Sequence, residues 1–438
     1  MQNGFLFTIV VIYQILAQSI QNKKKGGDMK SLFIATVGMG TGPEADITKP
    51  LIKSIVEANP SFLLLFVTQE SKTNAEKIVA ELKRTNENSQ IHILKNKDDI
   101  EAIFKEMNGK IYGFIEKGYE CANTIVDFTT GTKPMSAALA LVATKFRCGR
   151  LKYISVRRND ERKVIEGSER MITFEPQGIF ASYAIDNAVD LILKYRFESA
   201  IALLEPLPQG LLTVEEKLLL ADLIKIANAY SYWDKFDHIK FAGQYNKIEF
   251  QNPLLNQFKV SEETKKLIHS IGIDLKNNKV SHFAVVDLIN NAKRRIEEGK
   301  YDDAVARLYR AVEMLAQWQL MTKYQQDSGD IQLSKAPPKS KGWLANYKDN
   351  KDGKIKISLH KDYQLLEDYG DELGKEFNKD EKMKGLLKER NDSILAHGIK
   401  PINKKTSEDF LEYVINYGKK YITEFEKLQK DLSFPWSD

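Results

Sequence analysis

Only two cysteines, Cys121 and Cys148, occur in the 438 residues, and they form no C-x-x-C pair. That excludes a disulfide framework and a cysteine-rich zinc site, and it suits a reducing compartment such as the cytoplasm. Histidine is scarce as well. His92, His238, His269, His282, His360 and His397 form no HExxH or HxH arrangement, so no metal centre is expected. The N-terminal apolar run, FLFTIVVIYQILA, is 13 residues long, short of the ~20 a spanning helix requires. No basic residue precedes it and no A-x-A site follows it, so it makes a poor signal peptide. The following KKKGGDMK can be encoded by a purine-rich ribosome-binding sequence and a start codon. Residues 1–28 are therefore read as a translated leader, with Met29 as the start and a membrane anchor as the minority reading. A large charge imbalance is also missing. The net charge of +5 permits nucleic-acid contact without arguing for it, because clustering matters more than total.

What is present is an α/β pattern followed by an all-α one. From Lys30, the apolar runs SLFIATV, SFLLLFVT, QIHILK, TIVDFT, LKYISV and RMITFEP alternate with amphipathic segments. Near-continuous apolar strands separated by helices predict a Rossmann-like parallel sheet covered on both faces, over residues 29–176. Beyond Gln177 only helical spacing is found. Residues 177–250 read as a helical linker region and 251–438 as a helical domain. In the latter, Ala304, Val305, Leu308, Ala311, Val312 and Leu315 share one face of a core helix. Residues 334–361 hold eight lysines, two prolines and few apolar residues, which predicts a long exposed basic loop.

In an open parallel sheet, ligands collect at strand C-termini next to a topological switch point. Two loops have that character. TVGMGTG, Thr36–Gly42, offers glycines that let a ligand approach the backbone, and threonine hydroxyls. DFTTGTKPMS, Asp127–Ser136, supplies hydroxyls, a lysine and a helix start with Pro134 in its first turn. Neither is a Walker A loop nor a GxGxxG dinucleotide turn. Either alone is as well explained as an ordinary turn. Together, on the first and fourth strands of one sheet, they point to an anionic ligand with several phosphates.

The second candidate site is KERNDSILAHGIKP, Lys388–Pro401. Read as one helix stopped at His397-Gly398, it sets Arg390 and His397 seven residues apart on one face. That face is the stripe of Met383, Leu386, Leu387 and Ile394. His397 is then expected in the last helical turn, where the carbonyl end favours an imidazolium. Arg390 can grip a phosphate with two hydrogen bonds. An acid or base plus a fixed cation is the minimum for RNA cleavage without a metal, and Asn391 can orient either partner. A polar pair on an apolar seam predicts that a second copy packs there, giving one composite cleft. The plainer reading is a capping histidine and a salt-bridged arginine.

RNDSILAHG resembles the Arg-x(4–6)-His signature of HEPN ribonucleases. TVGMGTG and DFTTGTKPMSAALALVA resemble the ligand loops of CARF domains, and GKYDDAVARLYRAVEMLAQ is similar to a helix of the CARF–HEPN effectors of type III CRISPR systems. The resemblance covers essentially everything after Met29, in the family's domain order. It implies a cytoplasmic homodimer whose CARF domains bind a cyclic oligoadenylate as allosteric activator, tetra-adenylate before hexa-adenylate, with no other cofactor. It implies metal-independent cleavage of single-stranded RNA, leaving 2′,3′-cyclic phosphate ends, in antiviral defence. Carried over residue by residue, Arg390 and His397 take the catalytic places and Asn391 supports them. Thr36, Gly38, Met39, Gly40, Thr41, Thr129, Thr130, Gly131, Thr132, Lys133 and Met135 fall on the activator loops. The family includes members that slowly cleave their own activator, and Lys133 with the threonines could position that step or only hold the ring.

A metal-dependent nuclease of the PD-(D/E)xK type would need an acidic pair and a lysine on a strand, and the C-terminal part shows no strand pattern to carry them. Three further rival readings remain. The helical part could be a non-enzymatic interaction module behind the same sensor, or residues 1–28 could anchor a CARF effector in a membrane. A regulator could instead bind nucleic acid through the lysine-rich segment, though no basic helix-turn-helix pattern supports DNA as partner. On the ribonuclease reading, that segment either helps recruit RNA or is simply solvated.

Overall fold

The side chains of LFIATV, Leu32–Val37 (β1), are all buried, and they point alternately to two cores. Leu32 and Ile34 join Leu64, Phe66 and Val126 on one face of the sheet; Phe33, Ala35 and Val37 join Leu63, Leu65 and Val67 on the other. The chain is described from a computed structural model covering residues 30–39, 48–155, 168 and 170–437. The leader reading of residues 1–28 lies outside these. Contacts divide the chain into two compact units between Tyr183 and Ala184.

The first unit alternates β1, α1 (Thr48–Ala58), β2 (Phe62–Val67), α2 (Lys72–Glu81), β3 (Ser89–Ile93), α3 (Ile100–Glu116), β4 (Thr124–Asp127), α4 (Lys133–Lys145), β5 (Arg150–Ser155) and β6 (Arg170–Phe174). The sheet order is β3-β2-β1-β4-β5-β6. Strands β1 to β5 pair in parallel, and β6 is an antiparallel edge. Helices α1 and α2 cover one face through Leu51, Ile55, Ala75 and Ile78. Helices α3 and α4 cover the other through Ile103, Met107, Ile111, Met135, Leu139 and Val142. Two-sided burial explains why β1 and β2 read as nearly unbroken apolar runs, whereas the edge strand β6 is exposed at every position. Truncating a fully buried ring such as Phe66 would cost about 3–5 kcal/mol. The chain reverses direction of travel across the sheet between β1 and β4, which sets the loops after these two strands side by side.

The second unit is helical. The division falls within α5 (Gln177–Leu193), which is followed by α6 (Phe197–Leu204), α7 (Val214–Asp234), α8 (His238–Tyr245), α9 (Glu262–Lys276), α10 (His282–Glu297) and α11 (Tyr301–Tyr324). Then come α12 (Pro338–Ala345), α13 (Leu359–Asp368), α14 (Glu372–Lys379), α15 (Glu381–Asn391), α16 (Lys404–Tyr421) and α17 (Phe425–Asp431). The predicted stripe on α11, Ala304 to Leu315, is buried. On the neighbouring hairpin Tyr363 stacks on Phe377 with centroids 3.6 Å apart, and its hydroxyl donates to the Val312 carbonyl at 2.8 Å.

Two expectations are corrected here. Residues 184–250 do not stand apart as a linker, since contacts group them with the rest of 184–438 in one compact unit. Buried polar contacts tie α7 and α8 to α10: Asp234 pairs with Arg294 at 3.0 Å and with Arg295, while Trp233 Nε1 and His238 Nε2 reach Asp287 at 2.9 and 2.7 Å. Arg294 also lies 3.9 Å from the centre of the Phe434 ring, holding the C-terminal residues to this core. Composition and period mark these segments as helical, but only the buried charges show which helices they join. Residues 334–361 are likewise not a loose loop. They contain α12, bury Leu344 and Ile355, and are pinned by Ile331 N–H to Ile355 O at 2.9 Å and Ile357 N–H to Ser328 O at 3.0 Å. Among the described residues no helix is long and apolar enough to cross a membrane.

Candidate functional site

The first site lies where the loops after β1 and β4 meet. Thr36 donates its hydroxyl to the Thr130 carbonyl, and Thr130 returns the bond to the Thr36 carbonyl. These reciprocal bonds clamp the loops together at the switch point. The approach is so close that only glycine fits. A Cβ on Gly38 would stand 2.8 Å from Gly131 N, and one on Gly131 would stand 2.9 Å from Thr36 Cβ. Gly131 also has φ +103°, a conformation that other residues adopt only with strain. Asn74 Nδ2 donates to Gly38 O at 2.8 Å and fixes the outer side of the turn.

Beneath the clamp, Asp127 ends β4 almost fully buried. Its carboxylate accepts from Thr129 N at 3.0 Å and from Ser54 Oγ at 3.2 Å. Burial raises its pKa, while Thr129, Ser54 and the neighbouring Lys152 oppose that rise. Thr129 Oγ1 accepts from Ile154 N at 2.8 Å, which locks the loop to β5. Thr132 caps α4, accepting from Met135 N at 3.4 Å, and donates to Lys97 O at 3.1 Å.

These contacts change the expected roles of several residues. The hydroxyls of Thr36, Thr129, Thr130 and Thr132 are committed within the protein, so they shape the loop rather than reach out of it. Met135 is corrected outright: the first turn of α4 points it inward, and it is fully buried in the sheet core. Met39, at 61% exposure, and exposed Lys133 are free to face a ligand. The N-terminus of α4 adds the positive end of a helix dipole. Gly40 and Thr41 lie outside the described residues.

The second site is built on α15 and the residues that follow it. Its sequence reading needs a second correction, because His397 is not in a helix. Helix α15 stops at Asn391, where Asp392 N bonds Lys388 O at 3.0 Å and Ser393 N bonds Arg390 O at 3.1 Å. Asp and Ser are poor helix formers, and the helix stops just before them, short of His397. Residues 392–400 then fold back as a closed loop. Ser393 pairs with Lys400, Gly398 N bonds Ser393 O at 3.2 Å, and a Cβ on Gly398 would collide with Asp392 O at 1.8 Å. The predicted apolar stripe is split accordingly, with Met383 and Leu387 buried and Ile394 58% exposed.

Loop closure nevertheless gathers the three predicted residues by another route. His397 N bonds the Asn391 carbonyl at 3.2 Å, and Asn391 Oδ1 accepts from Arg390 Nη1 at 3.1 Å. The His397 side chain is exposed. The Arg390 guanidinium lies over the ring of Tyr309 of α11, its carbon 4.3 Å from the ring centre. Its Nε is buried and unpartnered among the described residues. Burial raises the pKa of Tyr309, with Arg390 opposing. Tyr309 belongs to this site and was missed in the sequence, where its place in YRAVEML offers no signal beyond helical period. Among the described residues no group of three or more His, Cys, Asp or Glu side chains is placed to hold a metal ion.

Comparison with known proteins agrees with both halves of this picture. A family model described as the Card1 CARF domain matches residues 47–175, and one described as the Csm6 HEPN domain matches residues 274–420. Among solved structures the chain is similar to Enterococcus italicus Csm6 bound to cyclic hexa-2′-fluoro-hexa-dAMP. That match has 13% identity and a TM-score of 0.52, over 92% of this chain and 98% of that one. At such identity it shows a shared fold alone. Can2 from Sulfobacillus thermosulfidooxidans in complex with cyclic tetra-adenylate matches at 14% identity over 68% of this chain and 70% of that one, but its TM-score of 0.21 carries no argument. No curated protein matches the chain. With a CARF match on the sheet unit, an HEPN match on the helical unit and the Csm6 fold along nearly its whole length, the chain belongs to the CARF–HEPN effectors of CRISPR systems.

Proposed function

We propose that this protein is an endoribonuclease switched on by a cyclic oligoadenylate, cleaving single-stranded RNA in the cytoplasm as a homodimer. The observation that carries the reading is the join of Arg390 and Asn391, at the end of α15, to His397 on the closed loop that follows, with the guanidinium held over the Tyr309 ring. Held this way, the guanidinium keeps N–H edges for a phosphate and can steady the dianionic phosphorane. His397, exposed on the loop tied back to Asn391, takes the 2′-hydroxyl proton or returns one to the leaving 5′-oxygen. The 2′-oxygen attacks phosphorus as the P–O5′ bond breaks, leaving a 2′,3′-cyclic phosphate and a free 5′-hydroxyl. These residues can do this without a metal ion.

A single copy offers a thin catalytic set, and the loop itself suggests what completes it. Ile394, Leu395 and Ile399 flank His397 at 58%, 55% and 87% exposure. Three large aliphatics around a candidate catalytic group form a patch that water disfavours and a second copy would cover. In the sheet unit, the clamped glycine turns, Lys133 and the α4 N-terminus suit a phosphate ring that meets the same loops from both subunits. Cyclic tetra-adenylate is the first activator to test and cyclic hexa-adenylate the second.

The test is a fluorogenic RNA assay in EDTA with each ring size added in turn. Cleavage is expected with one ring only, and Arg390→Ala or His397→Ala should lower it by roughly a hundredfold or more. Activity that vanishes with EDTA would overturn the mechanism. Undiminished cleavage by both variants would leave the helical unit a non-catalytic module.

A further inference from the structure

We propose that the lobe formed by residues 334–361 is a docking platform for single-stranded RNA. Bases would stack on Trp343 and Tyr347, and phosphates would be held by Lys341, Lys348 and Lys361. This rests on the ribonuclease reading above, and it adds where the substrate first binds.

Charge distribution is the first observation. The lobe holds eight lysines and two aspartates, a net +6, whereas the whole chain is +5, so everything outside the lobe sums to −1. The basic excess is therefore gathered in one small folded element, the clustering that marks a nucleic-acid footprint.

The second observation is that the lobe is tied to α13 and carries aromatic rings among its lysines. Asp368 of α13 fixes α12 by accepting from Ser340 Oγ at 2.7 Å and from Trp343 Nε1 at 3.0 Å, with Lys339 at 3.2 Å. Trp343 is partly buried, and Tyr347, just past the end of α12, is 39% exposed. Their rings are perpendicular with centroids 6.1 Å apart. Lys361 places its ammonium in the corner between them, 5.2 Å from one centroid and 5.8 Å from the other. A phosphate drawn to Lys361 brings its neighbouring bases onto these rings. Lys341 and Lys348 are exposed and make no ion pair among the described residues, so their charge is free for a backbone. A cation groove with stacking faces is the arrangement by which proteins hold single strands without reading sequence. A solvated lysine face would need neither the tethered tryptophan nor the ammonium set between two rings.

The experiment measures binding of a fluorescent 20-nucleotide single-stranded RNA to the full-length Arg390→Ala protein at several salt concentrations. Adding K341Q, K348Q and K361Q should weaken binding at least tenfold and flatten the slope of log K against log salt by about 2, as expected for three lost phosphate contacts. Tyr347→Ala should weaken it roughly five- to tenfold, and lysine-to-arginine changes at the three positions should restore the slope. In the cleaving protein, the triple glutamine variant should raise KM for the 20-mer and leave turnover of a four-nucleotide RNA unchanged. Unaltered affinity and slope would overturn the proposal. A wild type that cleaves no RNA with any activator would sink the ribonuclease reading instead, while the binding arm still tests the lobe.

Discussion

Removing the ring under Arg390 separates a positioned cation from a merely nearby one. The guanidinium sits 4.3 Å from the Tyr309 centroid in a half-buried setting. Such a contact lies between an exposed cation–π pair and a desolvated one, about 1–1.5 kcal/mol. If the transition state uses Arg390 in this orientation, the loss appears in kcat as a five- to tenfold drop, since 1.36 kcal/mol is a factor of ten. Tyr309→Leu keeps most of the volume and removes the π face, while Tyr309→Phe keeps the face and removes the hydroxyl. The assay is single-turnover cleavage of a short RNA at saturating activator, with melting temperatures measured alongside. The leucine variant should be slow and the phenylalanine variant close to wild type, with KM little changed in both. A leucine variant as fast as wild type would refute the idea that the ring holds the catalytic cation.

Other outcomes follow from the same geometry. Gly131→Ala forces a Cβ to 2.9 Å from Thr36 Cβ at φ +103°; it should weaken activator binding at least tenfold by calorimetry while RNA binding by the helical unit persists. Asp362 is buried in the helical unit, where Ser328 donates to one carboxylate oxygen at 2.6 Å and the other has no partner among the described residues. Burial, assisted by Glu313, pushes its pKa up from 3.8 to about 8. The folded carboxyl keeps a proton that the unfolded one has already released, so folding is penalised increasingly from about pH 4 to pH 8 and equally above. The gap between 3.8 and about 8 sets a ceiling of roughly 5–6 kcal/mol, which relaxation around the site would reduce to a few. Asp362→Asn should therefore lose stability less steeply than wild type between pH 5 and pH 8 in denaturant titrations. Equal slopes would place the proton elsewhere.

Much of the architecture was legible because it is written in local pattern. Strands buried on both faces are apolar at nearly every position, so Leu32–Val37 and Phe62–Val67 announce a covered parallel sheet. The stripe from Ala304 to Leu315 announces a core helix in the same way. The two glycine loops were visible for a similar reason, since only glycine tolerates the approach at Gly38 and Gly131.

What was hidden depended on partners distant in the chain. Tyr309 meets Arg390 across 81 residues, and nothing in YRAVEML signals that its ring will carry a guanidinium. His397 is tied to Asn391 through its backbone and not through the helix face that its spacing suggests. The spacing suggests one helix, but it stops at Asn391, and Gly398 lets the chain fold back against the Asp392 carbonyl. Residues 334–361 looked loose because lysines dominate them, while the few residues that order them, Ser340, Trp343, Leu344 and Ile355, find their partners only in the assembled unit. The sequence alone determined the two-part order, the sheet and the residue types of both sites, because these follow from period, burial and backbone freedom. Only the tertiary structure decided which hydroxyls are spent on holding the loop, what lies under the arginine and how the loop carrying the histidine is tied back to Asn391, because those depend on contacts that no local pattern encodes.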